Sequence, residues 1–241
     1  MPLHAITSAY GEAGLRDRFA AEIAAFPDAE RQHLGQALEL ASALHAGDRR
    51  QREPYLNHLL RVAIRILSHY EVHDADVATA ALLHDAVEDH AAELAPGGDQ
   101  EAAFAVLADR FGPRVAELVR AVTNPVWQPG RDKNEQYREH VADSLERSPW
   151  GRVIKASDFA DNGVGLIHTT GPQTEKLAGK YAPLIPVLRD LMTRPDTPLT
   201  PAARQRILDQ LSRARERFSA LLPPQLGTGH RVSFRTSCPP S

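Results

Sequence analysis

Apolar residues recur three or four positions apart along most of the chain, and strict alternation of apolar and polar residues is almost absent. This spacing places apolar side chains on one face of a helix, so the pattern predicts an all-α fold. The clearest case begins at Asp28, where Leu34, Leu38 and Leu44 share one face. Gly47 is expected to end this helix.

The same periodicity predicts further helices downstream. One starts at Asp74 or Asp76 as an N-cap and runs through ALLHDAVEDH (81–90) until the helix-breaking PGGD (96–99). The polar segment around Pro54 favours a loop or a short β-ribbon near residues 48–56. The other predicted helices cover residues 59–70, 100–111, 113–122, 132–147, 150–161, 173–193 (bent near Pro183 and Pro186) and 200–221.

The length of 241 residues, with 42% hydrophobic and 24% charged residues, suits one soluble domain with a sizeable core. We expect this domain, a helical bundle, over residues 28–195. An N-terminal helix or extension over 1–27 precedes it, and a C-terminal helix over 196–222 follows. Residues 223–241 contain little to bury and are expected to form a flexible tail.

The charge and the single cysteine exclude several classes of protein. A net charge of -3 and a pI near 6.4 give no basic footprint for nucleic acid, and no apolar run is long enough to cross a membrane. The first residues lack the features of a secretory signal. Cys238 is the only cysteine, so no internal disulfide can form, which favours a cytoplasmic location. The oligomeric state is not indicated.

The segment ALLHDAVEDH carries the candidate chemistry. On a continuous helix, His84 and Glu88 fall on one stripe and Asp85 and Asp89 on the next, within a sector of ~140°. Carboxylates placed against a core require a cation or a metal ion. A His-Asp doublet alone is weak evidence, because such pairs are common on surfaces and at helix caps.

Two distant residues strengthen the interpretation as a metal site. His58 begins an amphipathic helix 26 residues before His84, and Asp158 lies in the apolar stretch VIKASDFADN. Packed helices could bring both to His84 and Asp85, giving two nitrogen and two oxygen ligands. Such a set suits a divalent ion such as Mn, Fe or Zn and leaves positions open for water and substrate.

These motifs resemble the HD superfamily of metal-dependent phosphohydrolases, specifically the hydrolase domain of RelA/SpoT homologues, including the small alarmone hydrolases. The resemblance implies an all-α fold that holds one Mn²⁺ ion through His58, His84, Asp85 and Asp158. It also implies removal of pyrophosphate from the ribose 3′ position of ppGpp or pppGpp. The matching stretches are AGDRR (46–50), PYLNHLLRVA (54–63), AALLHDAVEDH (80–90), FGPRVAELVRAVTN (111–124) and VIKASDFADN (153–162).

The resemblance also assigns roles outside the ligand set. Glu88 and Asp89 match a catalytic pair that orients the attacking water and takes its proton. Arg49 matches an arginine over the substrate and Arg50 its basic neighbour, and guanidinium groups suit both purine and phosphate. Asn162 matches an asparagine that faces the nucleotide. The implied partner is therefore a small-molecule nucleotide.

Four neighbouring residues receive no clear role. We expect His45 to be structural, Tyr55 to pack rather than bind, and His90 to be exposed to solvent. A contribution of Lys155 stays open.

Three residues depart from the family pattern. Phe159 replaces a basic residue, Asp161 replaces His or Tyr, and Gly165 offers no side-chain hydrogen bond. A carboxylate at position 161 could repel a polyphosphate or pair with an arginine. Two alternative functions therefore stay open: hydrolysis of another phosphorylated nucleotide, such as a deoxynucleotide or a nicotinamide dinucleotide phosphate, and non-catalytic nucleotide sensing through Arg49 and Asn162.

Overall fold

The computed structural model describes residues 2–50, 53–164 and 172–222, and these residues are mostly helical. The predicted all-α fold is confirmed, and so is the ribbon, because β1 (Arg49–Arg50) pairs antiparallel with β2 (Glu53–Pro54). The predicted tail over 223–241 and Gly165 lie outside the described residues. The helices are α1 Leu3–Ile23, α2 Asp28–Leu44, α3 Leu56–Ile64, α4 Ala75–Leu82, α5 Ala86–Leu94, α6 Gln100–Phe111, α7 Pro113–Val122, α8 Lys133–Glu146, α9 Pro149–Phe159, α10 Pro172–Tyr181, α11 Leu184–Thr193 and α12 Pro201–Leu221.

The prediction of one continuous helix through ALLHDAVEDH is wrong. The helix ends at Leu82, and the chain turns through Leu83–Asp85 before α5 begins. The N–H of Ala86 donates to the carbonyl of Leu83 within this turn. The apolar periodicity continues across the turn, which is why the sequence pattern concealed it. The predicted helix over 173–193 is likewise two helices, because Pro183 begins a new one.

Two helices continue beyond their regular ends as π-helical turns. Helix α3 passes into a π turn at Arg65–His69, and α9 passes into another at Ala160–Val164. Such turns are rare in proteins, and those that occur are often found at functional sites. Here the second one carries Asp161 and Asn162, two of the residues singled out by the sequence.

Short polar side chains fix the helix starts. Asp74 accepts hydrogen bonds from the backbone N–H groups of Asp76 and Val77, as the predicted N-cap should. Gly112 joins α6 to α7 with φ of 91°, a conformation that favours glycine. Among the residues that the structure describes, Asp99, Asp132, Ser148 and Thr200 also cap helices with their side chains.

One continuous cluster of buried apolar residues extends from Leu3 in α1 to Phe218 in α12. Helices α3, α4 and α9 each contact the other two. This arrangement brings the start of α3, the end of α4 and the end of α9 to one place, where the candidate ligands lie. Within the described ranges, none of the helices combines the length and apolar character needed to cross a bilayer.

Phe218 attaches the last helix to the end of α9. Its ring lies 6.4 Å from that of Phe159, and a Cβ added at Gly163 would come within 3.2 Å of it. We expect Phe218→Ala to lower the free energy of unfolding by about 3–5 kcal/mol, because it leaves a cavity in a filled region. Urea denaturation followed by circular dichroism measures the change.

Arg215→Ala, at an exposed position of the same helix, is the control and should change the stability by no more than about 0.5 kcal/mol. Equal effects of the two substitutions would show that α12 is not attached through Phe218.

Candidate metal centre

The four predicted metal ligands lie together. Candidate ligand atoms of His58, His84 and Asp158 are all within 4.8 Å of one another. Asp85 joins them, because its Oδ2 lies 3.1 Å from Nε2 of His84 and 3.7 Å from Nε2 of His58. Oδ1 of Asp158 lies 3.7 and 3.4 Å from the same two nitrogens. Residues from α3, the turn after α4, and α9 thus surround one point.

The spacing of these atoms fits a shared cation. Ligand atoms bound 2.0–2.2 Å from one ion lie about 2.8–3.6 Å from each other, depending on the coordination geometry. Nε2 of His58 and Nε2 of His84 are buried, and neither makes a hydrogen bond to any described residue. A buried polar atom without a partner costs about 1–3 kcal/mol, and a divalent cation would remove that cost for both. The residues therefore fit a metal ion.

The other nitrogen of each imidazole is already occupied. Nδ1 of His58 lies 2.9 Å from Oδ2 of Asp161, and Nδ1 of His84 lies 2.8 Å from the carbonyl oxygen of Ala81. Both acceptors favour a proton on Nδ1, which leaves the Nε2 lone pair available to a metal.

The carboxylates of Asp85 and Asp158 also favour a positive charge between them and the histidines. Burial alone would lower the pKa of His84, but the carboxylates of Asp85 and Asp158 outweigh burial and raise that pKa to about 10. Burial would raise the pKa of Asp158, yet Lys155 and the two histidines hold it well below its usual range. The carboxylates are therefore ionised, and a divalent cation could replace the proton on His84.

Neighbouring side chains fix the two carboxylates. The Lys155 ammonium lies 3.0 Å from Oδ2 of Asp158, and Asn162 donates to Oδ1 of Asp158 at 2.5 Å. The Tyr55 hydroxyl donates to Oδ2 of Asp85 at 2.8 Å. Tyr55 therefore packs, as expected, and in addition holds a candidate ligand.

Asp161, the main departure from the family pattern, is buried behind His58. Its carboxylate accepts hydrogen bonds at 2.9 Å from Nε of Arg61 and from Nη2 of Arg65. Burial would raise its pKa, but Arg61, His58 and Arg65 together hold it well below its usual range. The carboxylate of Asp161 therefore pairs with arginine side chains and does not face a polyphosphate site. Phe159 is buried against Phe218.

The two candidate catalytic acids differ in environment. Glu88 is held by Asn124, whose Nδ2 donates to Oε1 at 2.8 Å and whose backbone N–H donates to Oε2 at 3.2 Å. Partial burial of the Asp89 carboxyl, with Asp85 and Glu88 nearby, raises the pKa of Asp89 to about 6. Sequence reasoning missed Asn124, although it is the last residue of the motif FGPRVAELVRAVTN.

The candidate substrate residues divide between two places. Arg50 donates to Oδ1 of Asn162, and its guanidinium lies 5.3 Å from the centre of the Tyr55 ring. Arg50 and Asn162 thus lie beside Asp158. Arg49 is exposed and lines a depression of about 340 Å³ together with Asp48, Tyr55, Asp89 and His90.

The prediction of an exposed His90 is wrong. Only 11% of its side chain is exposed, and Nε2 lies 2.7 Å from Oδ2 of Asp48. The partner lies 42 residues earlier in the chain, so helical periodicity gave no sign of the contact.

The comparisons with known proteins agree with this geometry. The sequence model of the HD domain matches residues 37–145. MESH1 of Drosophila melanogaster, a guanosine-3′,5′-bis(diphosphate) 3′-pyrophosphohydrolase, is 32% identical over 143 residues, which are 58% of this chain and 71% of the fly protein. The chain belongs to the HD-domain hydrolase family. The resemblance inferred from the motifs is thereby confirmed.

A second relative and a solved structure are also similar to this HD-domain chain. MESH1 of Danio rerio is 36% identical over 129 residues, which are 52% of this chain and 64% of the fish protein. A solved structure, described as a metazoan ortholog of SpoT that hydrolyzes ppGpp, superposes with a TM-score of 0.59 at 26% identity. That match covers 80% of this chain and 98% of the other, so the fold is shared well beyond the motifs.

Replacing Asp161 should affect both stability and metal binding. We expect Asp161→Asn to lower the free energy of unfolding by about 3–5 kcal/mol, because Arg61 and Arg65 lose a buried charge partner. The affinity for Mn²⁺ should fall about 10–100-fold, because His58 loses the carboxylate that orients it. Urea denaturation and Mn²⁺ titration of the folded protein measure the two effects.

The matched control is Asp109→Asn, at an exposed position on α6, which should change neither quantity. A folded Asp161→Asn protein with unaltered Mn²⁺ affinity would rule out the orienting role.

Proposed function

We propose that this protein is a metal-dependent (p)ppGpp 3′-pyrophosphohydrolase, which removes pyrophosphate from the ribose 3′ position and leaves GDP or GTP. The observation that carries the proposal is the pair of unpartnered imidazole nitrogens facing Asp85 and Asp158. The substrate is supported by the names of the similar proteins, which are guanosine-3′,5′-bis(diphosphate) 3′-pyrophosphohydrolases in fly and fish.

The proposed cofactor is one Mn²⁺ ion held by His58, His84, Asp85 and Asp158. Two imidazoles with two carboxylates suit an ion of this hardness, and the set contains no thiolate that would favour structural zinc. Bound there, a divalent ion would lower the pKa of a coordinated water and polarise a phosphoryl oxygen of the substrate. Lys155 forms an ion pair with Oδ2 of Asp158, which keeps Oδ1 directed at the two histidines.

Asp89 and Glu88 are the proposed proton-handling pair. A carboxylate with a pKa near 6 is ionised at neutral pH and still basic enough to take a proton from the attacking water, so Asp89 is the proposed general base. Glu88 cannot swing freely, because Asn124 binds both of its oxygens. It is therefore suited to orient the water.

Arg50 and Asn162 are the proposed contacts of the nucleotide, with Arg49 at the edge of the site. Arg50 lies over Tyr55 and beside Asn162, within reach of a substrate bound next to Asp158. A guanidinium here can bind phosphate in a bidentate way or stack on a purine. Arg49 is exposed near Asp89 and could meet an entering phosphate.

A second candidate function keeps the same centre but hydrolyses another phosphorylated nucleotide, such as a deoxynucleotide or a nicotinamide dinucleotide phosphate. Phe159 favours it, because the chain lacks the basic residue that the family pattern has at this position. Asp161 does not favour it, because Arg61 and Arg65 neutralise its charge. A non-catalytic sensor is less well supported, since it would not need both Glu88 and Asp89.

The domain limits and the location are part of the same proposal. Helix α1 contacts α3, and α12 contacts the π turn at Ala160–Val164, so we propose that both flanking helices complete a domain centred on residues 28–195. The single cysteine and the nucleotide substrate support a cytoplasmic location.

The reaction can be tested directly. We expect the purified protein with Mn²⁺ to release pyrophosphate and GDP from ppGpp, and EDTA to abolish the release. Asp85→Ala should lower the rate by more than about 100-fold, because loss of a ligand costs more than loss of an outer-shell partner. Chromatography of the nucleotides and a pyrophosphate assay measure the products, with Asp109→Asn as the active control.

The same assay on a panel of deoxynucleotides and nicotinamide dinucleotides distinguishes the candidates. Turnover of another nucleotide but not of ppGpp selects the second function. Calorimetric binding of ppGpp without any turnover selects the sensor.

The pH dependence tests Asp89. Since its pKa is raised to about 6, the carboxylate is protonated below that pH and cannot accept a proton. We therefore expect kcat/KM to fall with decreasing pH below about 6. Asp89→Asn should lower kcat about 10²–10⁴-fold and remove this dependence. Asp89→Glu, which restores a carboxyl group, should retain an acidic limb; a limb that persists in Asp89→Asn would assign it to another group.

A further inference from the structure

A second cluster of metal-binding side chains lies beside the first. Its members are His45, which follows α2, Asp48 in the next turn, and His90 in α5. Nδ1 of His45 and Nε2 of His90 each lie 2.7 Å from Oδ2 of Asp48, and the two nitrogens are 3.2 Å apart. Helix α5 departs from helical geometry at His90, which turns this side chain toward the other two.

We propose that His45, Asp48 and His90 form a second binding site for a divalent transition-metal ion. Two imidazole nitrogens and one carboxylate oxygen are a common triad for such ions and leave further coordination positions for water. The three atoms are 2.7–3.2 Å apart, which is hydrogen-bond spacing, and small side-chain shifts would bring them to the about 2.8–3.6 Å expected for atoms that share one ion. The depression lined by Asp48 and His90 opens this side to solvent.

The surroundings of the two imidazoles differ. Burial lowers the pKa of His45, so its ring is neutral at pH 7 and offers a lone pair. Nδ1 of His90 lies 3.4 Å from Oε1 of Glu93. Burial would lower the pKa of His90, but Asp48 and Glu93 raise it, so a metal ion bound there would displace a proton from this ring. The competing explanation is a purely hydrogen-bonded cluster, in which both imidazoles donate to Asp48 and no ion binds.

The two candidate centres have no ligand in common, but Tyr55 contacts both of them. The Tyr55 ring is stacked on His45 at 4.7 Å, while its hydroxyl donates to Asp85 of the first centre. Arg49 and Asp89 line the same depression as Asp48. An ion bound there would add positive charge beside Asp89. Because the ligand sets are separate, the occupancy of each can be measured without any enzymatic assay.

The test is metal stoichiometry. The protein is stripped with chelator, dialysed against Zn²⁺, and analysed by mass spectrometry for zinc per chain. We expect two equivalents in the wild type, one in Asp48→Asn, one in His90→Gln, one in Asp85→Asn, and none in Asp48→Asn/Asp85→Asn. His73→Gln, which removes an exposed histidine, is the matched control and should keep both equivalents.

Circular dichroism verifies that each variant is folded, and His90→Gln decides the matter if Asp48→Asn does not fold. Thermal unfolding gives a second readout: Zn²⁺ should raise the Tm of Asp85→Asn but not that of Asp85→Asn/His90→Gln. A single equivalent in the wild type, or two equivalents retained in both Asp48→Asn and His90→Gln, overturns the proposal. Failure of this test leaves the hydrolase proposal untouched, because the first centre is counted separately.

Discussion

The constraint on which this structure depends is the burial of two imidazole nitrogens that have carboxylates in front of them and no hydrogen-bond partner among the described residues. Removing such groups from water is unfavourable unless a charge balances them. The fold brings α3, α4 and α9 into mutual contact around this point. A cation is the simplest way to satisfy His58 and His84 together, and the surrounding hydrogen bonds are consistent with one.

The convergence of the four candidate ligands could be predicted from the sequence because each lies within a recognisable motif and helical packing can unite distant motifs. The turn at Leu83–Asp85 could not, since apolar periodicity runs through it without a proline or glycine. The contacts of Asp161 could not be predicted from the sequence either. Arg61 and Arg65 lie about a hundred residues earlier, and only the fold shows that they, rather than a substrate, meet this carboxylate.

The residues around Asp161 change the meaning of the departures from the family pattern. In the sequence, Phe159 and Asp161 suggest an altered substrate surface. In the structure, Phe159 belongs to the core and Asp161 forms a buried ion cluster behind His58. Removing one member of such a cluster would leave an uncompensated buried charge. Asp161 therefore supports the candidate metal centre, while Phe159 packs against α12 and leaves the site without the basic residue of the family pattern.

The π turns at Arg65–His69 and Ala160–Val164 carry a last implication. A π turn closes i→i+5 instead of i→i+4 hydrogen bonds, so each turn holds one residue more than a turn of the α-helix that precedes it, and its own side chains are displaced by roughly 100° from α-helical positions. Removing one residue from either segment would therefore allow it to close as a regular α-helix. Related chains with a regular helix at these places would need different residues to build the same support, so position-by-position alignment there can pair side chains that occupy different places in space.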